Sequence, residues 1–333
     1  MPSLEMHSIK TKASGYLRTR EFGLLLLILV ITLVVSWIDA RFVAKNNLID
    51  ILTRSAPTAI IACGVMLVVV TAEIDISVGS LTALLAAAMG IFLSESLWAW
   101  PVWQGVLLTL AIGTSVGFCT GCLVAFGKVP SIVVTLGLLT ALRGITTLIM
   151  QGENIDGLPK SLTSLAKQGI GGIPIAIWTA AVVIAMTAIL IHWTPMGRRL
   201  YALGSDAYSA KMVGLSGDRL KLFAFAYTGF LTAVATIVDV PRLPKIESGI
   251  GMELELLVVT CVVVGGVSIS GGRGSVTGVV LAVLLMTMLR PVLTFLDIGE
   301  QGEKWTKAIQ GLFIMLAVVS DKLFSDRSHW GDD

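Results

Sequence analysis

The sequence predicts an all-α integral membrane protein with about ten transmembrane helices, some of them short or broken. Of its 333 residues, 55% are hydrophobic and only 14% are charged, and the mean hydropathy is +0.87. A membrane-spanning helix needs about 20 mostly apolar residues, so residues 1–333 fit one transmembrane domain with short connections. The 24 basic and 22 acidic side chains nearly balance, which argues against a nucleic-acid partner.

Ten apolar stretches mark the predicted spans in chain order. The first has no small-residue cleavage site after it, so it is interpreted as a retained helix and not as a signal peptide. Several others are short and rich in glycine, which is typical of helices that break around a pathway, although one or two re-entrant segments are an alternative. The stretches are 22–37, 57–71, 78–92, 105–126, 131–150, 173–193, 222–238, 256–268, 276–289 and 308–319.

The charge distribution predicts which parts face the cytoplasm. Ten spans place both termini on the same side of the membrane. The connection 194–221 carries five basic side chains, and positive charge favours the cytoplasmic side. We therefore expect a cytoplasmic loop at 194–221 and cytoplasmic tails at 1–21 and 320–333.

Ionisable side chains within or beside the apolar stretches mark candidate functional positions. Charges at that depth are expensive, so Glu73 and Asp75 are expected at an interface, in a water-filled cavity or against partners. Asp75 is positioned to cap the helix that begins near Val78, and gating, substrate contact or proton coupling are the alternatives. Arg143 either snorkels to the outer end of its span or lines a pathway.

The connection 194–221 contains one predicted short helix. Ser205 is its expected N-cap, Ala207, Ala210 and Val213 recur at helical spacing, and Gly214 is suited to end it. A helix of this length is unstable alone and needs a surface to dock against. We interpret it as a docking element for a separate energising subunit, with an ordinary connecting loop as the alternative.

Catalytic and metal-binding patterns are missing from the sequence. His7, His192 and His329 are too scattered to form a metal site or a nucleophile–base pair. The glycine-rich segment 265–275 lacks the G-x-x-x-x-G-K-[ST] spacing of a phosphate-binding loop. The sequence therefore predicts no enzymatic site, no metal and no cofactor bound by this chain.

Four ordered motifs resemble those of the membrane subunits of ribose-type ABC sugar importers. Residues 74–80 read IDISVGS, and residues 130–137 read PSIVVTLG, followed by Arg143 and Gly144. Residues 197–214 resemble the cytoplasmic coupling loop of that family. Residues 265–275 resemble its late G-G-x-S-x-x-G-G-x-G turn.

The resemblance implies a type II ABC importer-like fold of about ten helices. It implies that a second permease subunit, identical or related, encloses a path together with this one. It also implies two ABC ATPase subunits, which use ATP and Mg, and a periplasmic sugar-binding protein. The expected function is import of a monosaccharide of the rhamnose, autoinducer-2 or ribose type across the bacterial inner membrane.

The expected site residues follow from these motifs together with the positions of polar residues in the chain. The expected ATPase-coupling residues are Ser205, Asp206, Ala207, Tyr208, Ala210, Met212, Val213 and Gly214. The expected pathway or gating residues are Glu73, Asp75, Ser77, Thr135, Arg143 and Glu255.

Two departures from the family pattern affect these expectations. Glu73 stands where many members have glycine. Residues 255–260 read ELLVVT, where the family commonly has an acidic third position followed by alanines, so mostly bulkier residues replace the acid and the alanines there. The alternatives are a secondary transporter driven by an ion gradient through Glu73 or Asp75, and an accessory scaffold.

Overall fold

The computed structural model describes the backbone of residues 2–297 and 301–329, and the side-chain environment of residues 20–297 and most of 301–319. The described part of the chain forms thirteen α-helices. These are α1 Pro2–Ile38, α2 Lys45–Val70, α3 Val78–Leu93, α4 Val102–Ala125, α5 Ser131–Met150, α6 Lys160–Gln168, α7 Ile175–Trp193, α8 Pro195–Ser205, α9 Ala207–Met212, α10 Gly217–Asp239, α11 Leu254–Val264, α12 Val276–Phe295 and α13 Gly302–His329.

The predicted fold class is confirmed. Seven of the described helices are long and apolar enough to cross a membrane, namely α2, α4, α5, α7, α10, α12 and the part of α1 from Arg20 to Ile38. Helices α3 and α11 have only 16 and 11 residues, so they are shorter than a complete span. The predicted stretch 308–319 lies in α13, some of whose side chains fall outside the described residues.

Some helices begin or end at residues other than those predicted from the sequence. The second stretch was predicted to begin at Pro57, but α2 begins at Lys45 and contains Pro57 in its interior. The stretch 256–268 was predicted too long, because α11 ends at Val264. Residues 2–21 continue into the first span as part of α1 without a break.

Helix α2 forms the centre of the bundle. In its most apolar stretch of 18 residues, 89% are buried. In the corresponding stretches of α1, α4, α5 and α7, only 11–28% are buried. Because the outer faces of these peripheral helices are apolar, they suit contact with lipid or with another membrane subunit.

A row of glycines allows α4 and α10 to pack with their backbones close together. Gly113, Gly117 and Gly121 follow one another at four-residue spacing on α4; on α10, Gly229 faces the first two and Leu222 faces the third. A Cβ atom on Gly117 would lie 2.4 Å from the carbonyl oxygen of Phe225. Lipid supplies no hydrophobic drive between helices, so close packing of small residues holds this pair together.

We expect Gly117→Ala to lower the stability of the detergent-solubilised protein by about 1–3 kcal/mol, the usual cost of overpacking. Thermal unfolding followed by circular dichroism measures the effect. Gly137→Ala on α5 is the matched control, because nothing lies within 4 Å of a Cβ atom there. Equal midpoints for the two variants would contradict the close α4–α10 contact.

Contacts between connections distinguish the two ends of the bundle. At one end, close to α8, the N–H of Gly272 donates to the carbonyl of Val70 at 2.9 Å. At the other, the N–H of Ile155 donates to the carbonyl of Ile246 at 3.0 Å, close to α6. We call these the α8–α9 end and the α6 end.

Candidate transport pathway and coupling site

The short helices α3 and α11 begin beside each other. A Cβ atom on Gly79, in the first turn of α3, would lie 1.8 Å from Oε2 of Glu255 and 2.7 Å from the carbonyl oxygen of Gly251. Glu255 lies in the first turn of α11, and Gly251 lies in the connection from α10. We call the contact between Gly79, Gly251 and Glu255 the α3–α11 junction. This close contact is possible only because residue 79 is a glycine and has no side chain.

Asp75 and Ser77 form a buried pair just before α3. The Oδ1 atom of Asp75 accepts from the backbone N–H of Ser77 at 2.9 Å and from its hydroxyl at 2.7 Å. The predicted capping role of Asp75 is wrong, because Ser77 precedes the first turn of α3 and no side chain caps that turn. The carboxylate instead fixes the turn through which the chain enters α3.

Helix α5 holds both connections that lead to the junction. The hydroxyl of Ser131 accepts from the N–H of Ile74 at 3.1 Å, and the buried hydroxyl of Thr135 donates to the carbonyl of Ser131 at 2.9 Å. Further along α5, Nη1 of Arg143 donates to the carbonyl of Ile250 at 2.7 Å. The guanidinium group therefore binds the backbone next to Gly251, a contact that neither snorkelling nor pathway lining predicted.

One carboxylate oxygen at the junction has no partner. Oε2 of Glu255 is buried and makes no hydrogen bond to any of the described residues. It faces the beginning of α3, where the free N–H groups and the helix dipole give a positive potential. Of the six predicted pathway residues, the structure therefore brings Asp75, Ser77, Thr135, Arg143 and Glu255 around the start of α3.

Glu73 lies apart from this group, towards the α8–α9 end. Its carboxylate accepts from Nζ of Lys221, and both side chains are largely buried. A second pair, Lys128 and Asp218, lies between the α4–α5 connection and α10. These pairs fasten the connections before α3 and α5 to the start of α10.

The predicted docking helix exists, but its N-cap was assigned one residue too early. Ser205 is the last residue of α8, and its hydroxyl donates to the carbonyl of Tyr201 at 2.9 Å. Asp206 caps α9, since its Oδ1 atom accepts from the N–H groups of Tyr208 and Ser209 at 2.9 and 3.1 Å. The hydroxyl and N–H of Ser209, together with the N–H of Tyr208, lower the pKa of Asp206. The carboxylate therefore stays charged and keeps the cap at neutral pH.

Helix α9 exposes an apolar surface. The side chains of Tyr208, Met212 and Val213 are 70%, 65% and 76% exposed, and Ala207 and Gly214 are also exposed. Only Ala210 is buried among the predicted coupling residues, and it anchors α9 to the bundle. An exposed apolar surface on a short, capped helix is typical of a docking site for another protein.

The end of α8 packs against the end of α2. A Cβ atom on Gly204 would lie 1.8 Å from the carbonyl oxygen of Val70 and 2.5 Å from the N–H nitrogen of Gly272. The hydroxyl of Tyr201 donates to the carbonyl of Gly274 at 2.9 Å. This contact joins α8 to the end of α2, which leads directly into the connection before α3.

Sequence reasoning missed a cavity of about 730 Å³ that lies towards the α6 end and includes several ionisable side chains in its lining. Two of its ion pairs follow helical spacing: Asp50 with Arg54 at 2.7 Å, and Asp239 with Arg242 at 2.8 Å. Acidic and basic residues three or four positions apart are neighbours on a helix, so the pairs were detectable. Their convergence on one cavity was not.

The fold and this site define a multi-pass membrane permease. Among the described residues, no group of three or more His, Cys, Asp or Glu side chains suits a metal ion. Residues 47–318 match the model of the family described as "Branched-chain amino acid transport system / permease component", and the chain belongs to that family. This match, together with the ribose and autoinducer 2 permeases described next, confirms the resemblance predicted from the four motifs.

Several curated relatives cover nearly the whole chain. The ribose import permease protein of Haemophilus influenzae is 35% identical over 298 residues, which is 88% of this chain and 90% of the relative. The ribose import permease protein of Escherichia coli K12 is 32% identical over 89% of this chain and 92% of its own. The autoinducer 2 import system permease protein of Escherichia coli O157:H7 is 32% identical over 91% of this chain and 86% of its own. No solved structure matches the chain significantly.

Proposed function

We propose that this chain is the transmembrane permease subunit of an ABC importer that carries a monosaccharide of the ribose, rhamnose or autoinducer-2 type. The observation that carries the proposal is the exposed, Asp206-capped helix α9, connected through Gly204 and α2 to the α3–α11 junction. The names of the relatives, which import ribose and autoinducer 2, support the choice of substrate class.

The proposed assembly contains a second permease subunit, identical or related, two ATPase subunits that use ATP and Mg, and a periplasmic sugar-binding protein. We place the chain in the bacterial inner membrane, with the α8–α9 end, both termini and the connection 194–221 in the cytoplasm. The basic residues Arg198, Arg199 and Lys211 support that orientation. The α6 end then faces the periplasmic binding protein.

In this assembly, closure of the ATPase subunits on ATP moves α8 and α9. The movement passes through the Gly204–Val70 contact into the connection that holds Glu73, Asp75 and Ser77. That connection begins α3, so the movement opens or closes the junction against Glu255 and Gly251. Ser131 and Thr135, which contact the backbone of Ile74, and Arg143, which binds the carbonyl of Ile250, keep α5 attached to both sides of the gate.

We expect Met212→Asp to weaken binding of the ATPase subunits by about 2 kcal/mol or more, roughly 30-fold, because it places a charge in the centre of an apolar contact. Co-purification and sugar uptake in proteoliposomes measure the loss. Leu165→Asp is the control, since Leu165 is also an exposed apolar residue, 50% exposed against 65% for Met212, and lies on α6 at the opposite end. It should retain the ATPase subunits, and normal ATPase binding by Met212→Asp would refute the coupling assignment.

The same proteoliposomes distinguish the energy source. Uptake should require added ATPase and binding protein and should survive a protonophore at fixed ATP. Uptake that collapses with the protonophore would instead support transport driven by an ion gradient through Glu73 or Asp75.

A further inference from the structure

Helix α7 exposes one apolar stripe along its length. Its members follow one another three or four positions apart, so they lie on the same face of the helix. They are Trp178, Val182, Met186, Ile189 and Trp193, and they are 46–81% exposed. The other face of α7 is buried in the bundle, so this stripe is suited to contact with lipid.

Trp193 marks the end of this stripe. The 19 residues of α7 extend over about 29 Å at 1.5 Å per residue, close to the thickness of about 30 Å of a hydrocarbon core. Trp193 is the last residue of the helix and is 81% exposed. Tryptophan is enriched at the interface between membrane and water. The end of α7 therefore belongs at the level of the lipid headgroups.

Helix α8 begins beside this end of α7. A Cβ atom on Gly197 would lie 2.2 Å from the carbonyl oxygen of Ile191, in the last turn of α7. The hydroxyl of Thr194 donates to the carbonyl of Leu190 at 2.6 Å and fixes the turn between the two helices. The first turn of α8 is thus packed against the backbone of α7, which keeps it at the same level.

Two arginines lie on the exposed side of α8. Arg198 and Arg199 are exposed, whereas Gly197, Leu200 and Leu203 are buried on the opposite side. Neither guanidinium group makes a hydrogen bond or an ion pair to any residue that the structure describes. The segment 192–205 contains no acidic side chain. Two cations at the membrane boundary are complementary to the phosphate groups of anionic lipids, which guanidinium groups bind through paired hydrogen bonds.

We propose that Trp193, Arg198 and Arg199 form a binding surface for the headgroup of an anionic phospholipid. The inference goes beyond the proposed function, because it requires that α7 spans the membrane and not that the chain carries a sugar. The two arginines bind the phosphate, and the indole ring of Trp193 packs beside it at the interface. Since the end of α8 packs against α2 at Gly204, a bound lipid supports this helix from its outer side.

Quenching of tryptophan fluorescence by brominated lipids tests the surface, with the full chain in proteoliposomes. Brominated phosphatidylglycerol is compared with brominated phosphatidylcholine, and subtraction of the Trp193→Phe signal isolates Trp193. We expect an approximately 30-fold preference for phosphatidylglycerol at Trp193, because each arginine near an anionic surface contributes about 1 kcal/mol and a tenfold change corresponds to about 1.4 kcal/mol. Equal quenching by the two lipids would overturn the proposal.

A chain with both Arg198→Gln and Arg199→Gln should lose this preference. Lys160→Gln is the matched control, since Lys160 is an exposed cation on α6, at the opposite end of the bundle, and its replacement should leave the preference unchanged. An undiminished preference in the double variant would refute the role of the arginines.

The salt dependence of the wild-type chain covers failure of the double variant to fold. The screening length falls from about 10 Å at 0.1 M salt to about 3 Å at 1 M. The preference for phosphatidylglycerol should therefore fall several-fold over this range. A preference that salt does not change would contradict an ionic contact.

An acidic surface of an ATPase subunit is the other partner that suits these arginines. Co-purification separates the two cases, because the double variant should still retain the ATPase subunits. Loss of these subunits with an unchanged preference for phosphatidylglycerol would assign the arginines to that partner and overturn the proposal. A chain that prefers phosphatidylglycerol as expected, but imports no sugar in the complete complex, would support the lipid site and overturn the proposed function alone.

Discussion

Replacing Gly79 with alanine is expected to abolish uptake while leaving membrane insertion intact. The new Cβ atom would lie 1.8 Å from Oε2 of Glu255 and 2.7 Å from the carbonyl oxygen of Gly251, whereas real Cβ contacts do not fall below 3.0 Å. Glu255 can rotate away, but the backbone of Gly251 cannot, so α3 and α11 must separate at their beginnings. Overpacking of this kind costs about 1–3 kcal/mol and here alters the gate itself. Sugar uptake and recovery of the assembled complex measure the two consequences separately.

Two further variants test the cause. Gly144→Ala on α5 meets nothing within 4 Å of its Cβ atom and should transport normally. Gly79→Ala combined with Glu255→Ala removes the shorter contact and leaves the backbone contact with Gly251, so only partial recovery is expected. Wild-type uptake by Gly79→Ala alone would show that the junction is not a close contact during transport.

The sequence predicted the helices better than their ends, for a physical reason. Hydropathy identifies the segments that lipid solvates, and all ten predicted stretches overlap helices. It failed in the first half of α2, where Asp50 and Arg54 lower the local hydropathy. Those charges pair with each other and line a cavity together with other ionisable side chains, so the helix carries them without exposing them to lipid.

Rules based on neighbouring residues in the sequence predicted only part of the candidate site. Capping preferences located the starts of α3 and α9 approximately. Before α3, however, the carboxylate of Asp75 binds Ser77 and does not cap the helix, and before α9, Ser205 is still part of α8. Competing local hydrogen bonds of this kind depend on the folded backbone. The contacts of Glu73 with Lys221 and of Arg143 with Ile250 join residues 148 and 107 positions apart. No periodicity in the sequence indicates pairs that only tertiary packing creates.

Replacing Gly204 with alanine is expected to uncouple ATP hydrolysis from uptake. The added Cβ atom would lie 1.8 Å from the carbonyl oxygen of Val70 and 2.5 Å from the nitrogen of Gly272, and both neighbours are backbone atoms. The 2.9 Å hydrogen bond from the N–H of Gly272 to the carbonyl of Val70 lies in the same contact and must also lengthen or break. Helix α8 would therefore separate from α2, and a movement of α9 would no longer reach α3.

The decisive comparison is between Gly204→Ala and Met212→Asp. Gly204→Ala leaves the exposed surface of α9 unchanged, so it should retain the ATPase subunits and their ATP hydrolysis while uptake falls to background. Met212→Asp should lose the subunits themselves. Gly23→Ala on α1, with nothing within 4 Å of its Cβ atom, is the control for a harmless substitution. Uptake by Gly204→Ala at the wild-type rate would mean that force travels from α9 to the junction by another route, because the α8–α2 contact cannot persist with a side chain at residue 204.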